Sequence, residues 1–302
     1  MKKAGVAAAI VVALLGASWL LFHRSIKKLL RGAPEISTGR FQDPEGLSVD
    51  PEGRIYVSDE DRGTLTVLSP EGDTLRTFKR DFLHGDSLVA RGLDRVIAIG
   101  DHELWKLNFS KEGMTPFSRI EVSDSPGSIV DPEGIAEDQA TGDLYVTLED
   151  ARKVRVVDRE GKFLRDFVVE HDPEGIGLLP DGRVIVTFSK DDYCRLYSKE
   201  GTPGIRFGRS GSALGEFRNP DFVIAGPKGR IYITDQKNHR IQVFDDSLQA
   251  VALIGKHGKG PGEFEDPEDL AFDPKGRLIV ADGGNHRIQI LKPTGEFIAE
   301  IR

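Results

Sequence analysis

From residue 41 onward, apolar residues come in short runs, alternating with polar ones or nearly continuous, cut by Gly, Pro and Asp. Runs of that length and period read as β-strands, and a helix-rich domain is hard to fit to them. The C-terminal stretch shows the pattern best, with Asp269 to Phe272, Leu278 to Ala281, Arg287 to Leu291 and Glu296 to Ile301 as four successive strands. Pro-Glu-Gly (70–72), Arg-Glu-Gly (159–161), Lys-Glu-Gly (199–201) and Pro-Thr-Gly (293–295) mark turns between third and fourth strands, where Gly supplies the positive φ of a tight hairpin. Twenty-four strands are counted between Phe41 and Arg302, with none borrowed from the N-terminal side.

The runs are organised by a period. Six carboxylates, Glu45, Asp86, Glu133, Glu174, Asp221 and Glu268, recur at intervals of 41 to 47 residues, each just ahead of an apolar segment and three of them within Asp-Pro-Glu-Gly. Self-similarity at that period, with four strands per unit, predicts an all-β fold: a six-bladed β-propeller of four-stranded antiparallel blades over residues 41–302. Ile55, Leu144, Val184, Ile231 and Leu278 then take equivalent second-strand positions. Closure is expected from blade-to-blade packing, helped by a short strand near Ser37.

In the last two units, Gly215-Glu216-Phe217-Arg218-Asn219-Pro220-Asp221, Gly229-Arg230-Ile231-Tyr232-Ile233-Thr234-Asp235 and Asn238-His239-Arg240-Ile241-Gln242-Val243-Phe244 return as Gly262 to Glu268, Gly276 to Asp282 and Asn285 to Leu291. These segments closely resemble the NHL repeat, whose family fold is a β-propeller. The first, third and fourth units keep the frame without the Asn-His-Arg signature, and the second, around Arg95 to Leu107, departs most. The resemblance implies a fold; the function has to come from a site.

Strands alternate in direction from the propeller axis outward, so the loop entering each blade shares a face with the loop between its second and third strands. The six acids therefore form a ring on the face that carries Asn238-His239-Arg240 and Asn285-His286-Arg287, and the chain preceding residue 41 arrives there too. Carboxylates about 6 Å apart repel by about 3 kcal/mol per neighbouring pair at an effective dielectric of 20. Partial protonation, splaying into water or a cation on the axis relieves that strain. An oxygen-only ligand set of Glu45, Asp86, Glu133, Glu174, Asp221 and Glu268 suits Ca²⁺. Gluconolactonase-like and paraoxonase-like propellers carry a metal-binding Glu in the loop opening the first blade, and Glu45-Gly46 resembles it in position. Those enzymes add Asn and Asp ligands at other blades, whereas here the same acid repeats, which also fits plain turn chemistry.

His84 and His171 stand two and three positions before ring acids, as candidate general bases toward a metal-bound water. Related amidating-lyase propellers use His-bound zinc, but no third histidine occupies an equivalent loop. His239 and His286 belong to the repeat signature, where a hairpin-stabilising hydrogen bond is expected. Cys194 aligns with Ile241 and Ile288 and reads as a buried small hydrophobe.

Charge narrows the partners. The chain carries −8, but residues 1–31 hold six Lys or Arg and no acid, leaving 35 bases against 49 acids, or −14, for the remainder. So acidic a domain argues against nucleic acid and for cations or basic partners. With one cysteine no intramolecular disulfide exists. The 19 residues from Ala4 to Phe22 carry no charge, long enough at about 1.5 Å per residue to cross a bilayer as one transmembrane helix. Residues 1–31 are read as a retained anchor with a basic juxtamembrane segment and 32–40 as a linker; the alternative is a secretory signal cleaved near Gly16-Ala17-Ser18. An export-type Lys-Lys start favours an extracytoplasmic propeller, while the later Arg24, Lys27, Lys28 and Arg31 count toward a cytoplasmic one.

Two functions follow. One is a membrane-anchored binding or scaffold module that presents the acidic face to a protein, peptide or cationic ligand, as an accessory subunit of a membrane complex. The alternative is a Ca²⁺-dependent hydrolase or lactonase that takes a small-molecule substrate at the mouth of the axial channel.

Overall fold

The computed structural model describes residues 39–79, 87–100, 103–108, 118–120 and 132–302. The expected anchor, residues 32–38 of the linker, the strand near Ser37, His84 and Asp86 lie outside the described residues. Among those described, no helix is long and apolar enough to cross a membrane.

Six four-stranded sheets, each antiparallel and each in sequence order, make six blades: residues 44–79, 88–120, 132–168, 176–207, 220–254 and 267–301. The only helical turns among the described residues are four short 3-10 segments. The innermost strand of every blade packs on that of the next, and Pro267–Phe272 of blade 6 packs on Pro44–Val49 of blade 1, closing the ring. Blade 6 is completed by its own fourth strand, Phe297–Ile301, as expected. Ile55, Leu144, Val184, Ile231 and Leu278 each open a second strand.

The core is not one mass but six slabs, one at each seam. Phe41, Leu47, Ile55 and Leu68 of blade 1 meet Ile279, Ile288, Ile290 and Ile301 of blade 6, and five similar clusters fill the other seams. A second strand therefore has a neighbouring blade on both faces. That is why all five residues are buried in Ile55–Asp59, Leu144–Leu148, Val184–Phe188, Ile231–Asp235 and Leu278–Asp282, and why their sequences run nearly continuously apolar. Fourth strands splay outward, and Thr74–Lys79 is almost wholly exposed.

The turns between third and fourth strands behave as the sequence predicts, with Gly72, Gly161, Gly201 and Gly295 at φ between 89° and 95°. In blade 5 Leu248 takes the left-handed position instead, at φ 62°, buried in the seam of blades 4 and 5. Cys194 is fully buried and burial pushes its thiol up, in keeping with a packing role.

Candidate functional site

The repeated tetrapeptide acquires a physical meaning at the inner ends of the first strands. In blades 1, 3, 5 and 6 the first strand carries a bulge, so that Glu45-Gly46, Glu133-Gly134, Asp221-Phe222 and Glu268-Asp269 each oppose one residue of the second strand. A buried hydroxyl on the second strand satisfies the amide the bulge frees. Ser58 accepts from Gly46 N at 3.0 Å, Thr147 from Gly134 N at 2.7 Å, Thr187 from Gly175 N at 2.8 Å and Thr234 from Phe222 N at 2.7 Å. Thr147 and Thr187 also donate onward to the carbonyls of Glu174 and Asp221, so the same hydroxyls bond one blade to the next.

Blade 6 has Ala281 at the hydroxyl position. There Asp269 replaces the glycine and its carboxylate accepts from Leu47 N across the seam to blade 1, at 2.8 Å. Complete burial pushes this carboxyl well above the usual range.

The described ring acids share one mouth of the axis but not one environment. Glu174 accepts from the Ser189 hydroxyl. The Gln236 amide reaches both Asp221, at 3.5 Å, and Glu268 of the next blade. Glu133 lies half-buried in the blade 3 bulge. Glu45 joins Asp43 and Glu60, with carboxylate oxygens within 4.8 Å of one another, the one such group of three among the described residues. Asp43 Oδ1 and Glu268 Oε1 both flank Gly283, each 3.2 Å from where a β-carbon there would stand, so Glu268 adjoins this group across the seam. Asp43, Glu45 and Glu60 are thus the residues able to hold a hard cation through oxygen alone.

Asp43 and Glu60 were not among the acids singled out by period. A signal for them exists: Asp43 opens the first Asp-Pro-Glu-Gly, and Glu60 is the first residue after a second strand, where Glu149, Ser189, Gln236 and Gly283 follow in later blades. Acid or neutral donor at that position decides whether a ring acid meets a carboxylate or a hydrogen-bond donor.

His171 lies on blade 4 with Nδ1 2.8 Å from Asp191 Oδ2, its ring edge-on to Phe188 and Tyr193. Beside it Asp172 is held by Arg152 at 2.8 Å and Lys190 at 3.4 Å, and its carboxyl sits below the usual range despite partial burial, because those two cations bond it.

The repeat histidines act differently from the expected hairpin bond. His239 Nδ1 accepts from Asp266 N at 3.3 Å, and His286 Nδ1 bonds the carbonyl of Gln42, each reaching the following blade rather than its own hairpin. Asp192 does the same in blade 4, accepting from Asn219 N at 2.8 Å. All three residues sit at left-handed φ, 54° to 57°, which throws the side chain toward the neighbouring blade. The flanking Asn and Arg hold the long entry loops. Arg287, fully buried, donates to Asp282 at 2.7 Å and to the carbonyls of Lys259, Gly260 and Glu263 at 2.8 to 3.0 Å; Arg240 repeats the pattern toward Asp235, Ser212, Ala213 and Glu216.

Comparison with known proteins agrees with this architecture. A family model for the NHL repeat matches residues 41–68, 217–244 and 264–291, within blades 1, 5 and 6. No curated protein matches the chain in sequence. Among solved structures, a catalytically inactive virginiamycin B lyase from Staphylococcus aureus with quinupristin is 16% identical, with 86% of this chain and 84% of that chain covered and a TM-score of 0.60. A candidate gluconolactonase is also 16% identical, covering 82% and 88% with a TM-score of 0.65. A chain of a nidogen/laminin complex, 16% identical, covers 70% and 79% with a TM-score of 0.57. At such identity these likenesses establish the fold alone, and together with the family match they make the chain a six-bladed β-propeller that carries NHL repeats in its first, fifth and sixth blades.

Proposed function

We propose that the protein is a binding module that takes a basic protein or peptide segment at the acidic mouth of the propeller axis. The observation that carries the reading is the placement of Glu45, Glu133, Glu174, Asp221 and Glu268 at the inner ends of their blades on one mouth, thickened at the seam of blades 6 and 1 by Asp43 and Glu60. A mouth lined by one sign of charge with protein walls focuses its field and raises the local concentration of cations. The use of the same fold in the nidogen/laminin complex supports a protein partner. The apolar stretch Ala4 to Phe22 supports a single-pass membrane anchor, and the Lys2-Lys3 start ahead of it supports an extracytoplasmic propeller, with a cytoplasmic one as the alternative.

The grouping of Asp43, Glu45 and Glu60 favours a second reading, a Ca²⁺-dependent hydrolase or lactonase, in which those three residues hold the ion. When bound, such an ion polarises a carbonyl oxygen as a Lewis acid. One pair of titrations separates the readings. On the first, a Lys-rich peptide binds at low ionic strength, weakens steeply with salt and loses affinity in the Glu45→Gln/Glu60→Gln variant, with or without Ca²⁺. On the second, Ca²⁺ raises the melting temperature by mass action and lactone turnover disappears with chelator. Absence of salt-sensitive peptide binding removes the first reading; an unshifted melting curve at millimolar Ca²⁺ removes the second.

A further inference from the structure

Two histidines meet on the mouth face where blade 5 joins blade 6. His239 closes the 3-10 turn Gln236–Asn238 between the second and third strands of blade 5, and His257 belongs to the long loop that carries the chain from blade 5 into blade 6. Their ring centroids stand 4.4 Å apart, with the planes tilted by 44°. Both backbones are held. His239 sits at φ 54° with its Nδ1 accepting from Asp266 N, and a parallel bridge ties His257 to Phe264. On either side of that bridge Phe264 N donates to the Lys256 carbonyl at 2.9 Å and Gly258 N to the Phe264 carbonyl at 3.1 Å.

The preceding seam repeats this scaffold without its imidazoles. There Asp192 and Ser210 stand where His239 and His257 stand here, Ser210 bridges Phe217, and Phe217 N and Gly211 N make the same pair of bonds, to Arg209 O at 2.8 Å and Phe217 O at 2.9 Å. The loop therefore does not need histidine for its shape. The spacing of the two rings matches what one metal ion imposes on neighbouring imidazole ligands. An ion about 2.0–2.1 Å from each nitrogen lies about 3.1–3.2 Å from each ring centre, and two such rings at right angles about it stand about 4.4–4.5 Å apart.

We propose that His239 and His257 bind a divalent transition ion of the Zn²⁺, Ni²⁺ or Cu²⁺ class, which staples blade 5 to the loop entering blade 6. Imidazole suits these ions, whereas Ca²⁺ prefers all-oxygen sites such as Asp43, Glu45 and Glu60. His257 is exposed, so its ring turns a nitrogen to the ion without disturbing the core, and water completes the coordination. His239 binds through Nε2, because Nδ1 is the nitrogen that faces Asp266. With the ion on Nε2 the ring proton moves to Nδ1 and turns from the Asp266 amide to the Asp266 carboxylate, whose Oδ1 is 3.8 Å away, giving the carboxylate–histidine–metal order that orients ligands. Asp266 and Glu265 add negative charge beside the ion, and Lys237, 3.1 Å from Asp266, offsets part of it. Burial lowers the His239 pKa, which leaves the ring neutral and able to ligate at pH 7.

The test is a Zn²⁺ titration of the metal-stripped full chain in mild detergent, followed by calorimetry and by thermal unfolding. An ion held only in the folded seam raises the melting temperature by mass action, whereas zinc bound equally by the folded and unfolded chain does not. Submillimolar Zn²⁺ is expected to raise the melting temperature of the unmodified chain. His257→Ala and His239→Gln are each expected to weaken binding at least tenfold and abolish the rise, and Glu45→Gln/Glu60→Gln to keep it. Because His257 is exposed, His257→Ala is expected to melt in metal-free buffer as the unmodified chain does, so a lost rise in that variant reports the ligand and not the fold. No rise in the unmodified chain, a rise that survives His257→Ala, or a rise lost in Glu45→Gln/Glu60→Gln overturns the proposal. Peptide binding at the acidic mouth is read without zinc, so the two readings fail separately.

Discussion

Replacing Gly175 by Ala tests why glycine follows the acid in the repeated tetrapeptide. Gly175 sits where the innermost strand of blade 4 meets that of blade 5, and a β-carbon added there would stand 2.1 Å from the carbonyl oxygen of Asp221, 3.1 Å from its carbon and 3.2 Å from Phe222 Cα. All three obstacles are backbone, so no rotamer change relieves them. Side-chain β-carbons essentially never approach a heavy atom closer than 3.0 Å, so blades 4 and 5 must part by at least 0.9 Å, the difference between 3.0 and 2.1.

That movement stretches the bond from Thr187 to the Asp221 carbonyl and loosens the seam lined by Ile185, Phe217 and Val223. Overpacking of a close-packed interior costs about 1–3 kcal/mol, and a rigid obstacle points to the top of that range. The loss of unfolded-state freedom on adding a β-carbon returns only about 0.4–1 kcal/mol. A net cost of about 2–3 kcal/mol lowers the melting temperature of a domain this size by roughly 4–12 °C, at about 2–4 °C per kcal/mol. Gly229→Ala is the control. It has φ +69° but nothing within 4 Å of the added carbon, so it carries only the left-handed backbone cost of about 1–2 kcal/mol. Thermal unfolding of both variants by circular dichroism, with denaturant titration to obtain free energies, decides the matter. If Gly175→Ala costs less than about 1 kcal/mol, the close-approach account of the tetrapeptide is wrong.

Two further expectations follow from the buried polar network and the blade clasps. Arg287→Met keeps bulk but leaves the Asp282 carboxylate buried without its cation and takes a donor from the carbonyls of Lys259, Gly260 and Glu263, of which the last two keep another; a cost of about 3–5 kcal/mol is expected by denaturant titration, and a loss below 1 kcal/mol would show that the network contributes little. His239 is depressed by burial, its environment containing Asp266, His257, Lys237 and Glu265, and its Nδ1 must stay unprotonated to accept from Asp266 N. The folded state therefore binds this proton less readily than the unfolded chain. The resulting stability is present above the unfolded histidine value of about 6.5 and is lost as pH falls through the window below it. His239→Gln should therefore flatten the fall in melting temperature between pH 7 and 5. A fall in melting temperature as steep in the His239→Gln variant as in the unmodified chain would refute this role for His239.

The sequence by itself determined the number of strands, their grouping in fours, the six-fold closure and the equivalence of Ile55, Leu144, Val184, Ile231 and Leu278. Those features are local: each strand pairs with its successor, and the same turn chemistry repeats at each hairpin, so a period read along the chain maps directly onto blades. It also marked the acids at the inner ends of the first strands, because each follows the same turn. Only the tertiary structure decided what those acids meet. Asp43 and Glu60 come to Glu45 across a hairpin, and Glu268 and Gly283 reach that group from the far end of the chain because the ring closes. Ser189 and Gln236 occupy, in later blades, the place that Glu60 holds in the first, so chemically alike acids receive a hydroxyl, an amide or another carboxylate. The two repeat histidines share the context Asn-His-Arg-Ile-Gln, yet one faces an amide and the other a carbonyl. A repeat specifies each blade from within, whereas the seams join side chains a whole blade apart, where the partner is set by geometry and by whichever residue the neighbouring copy happens to carry.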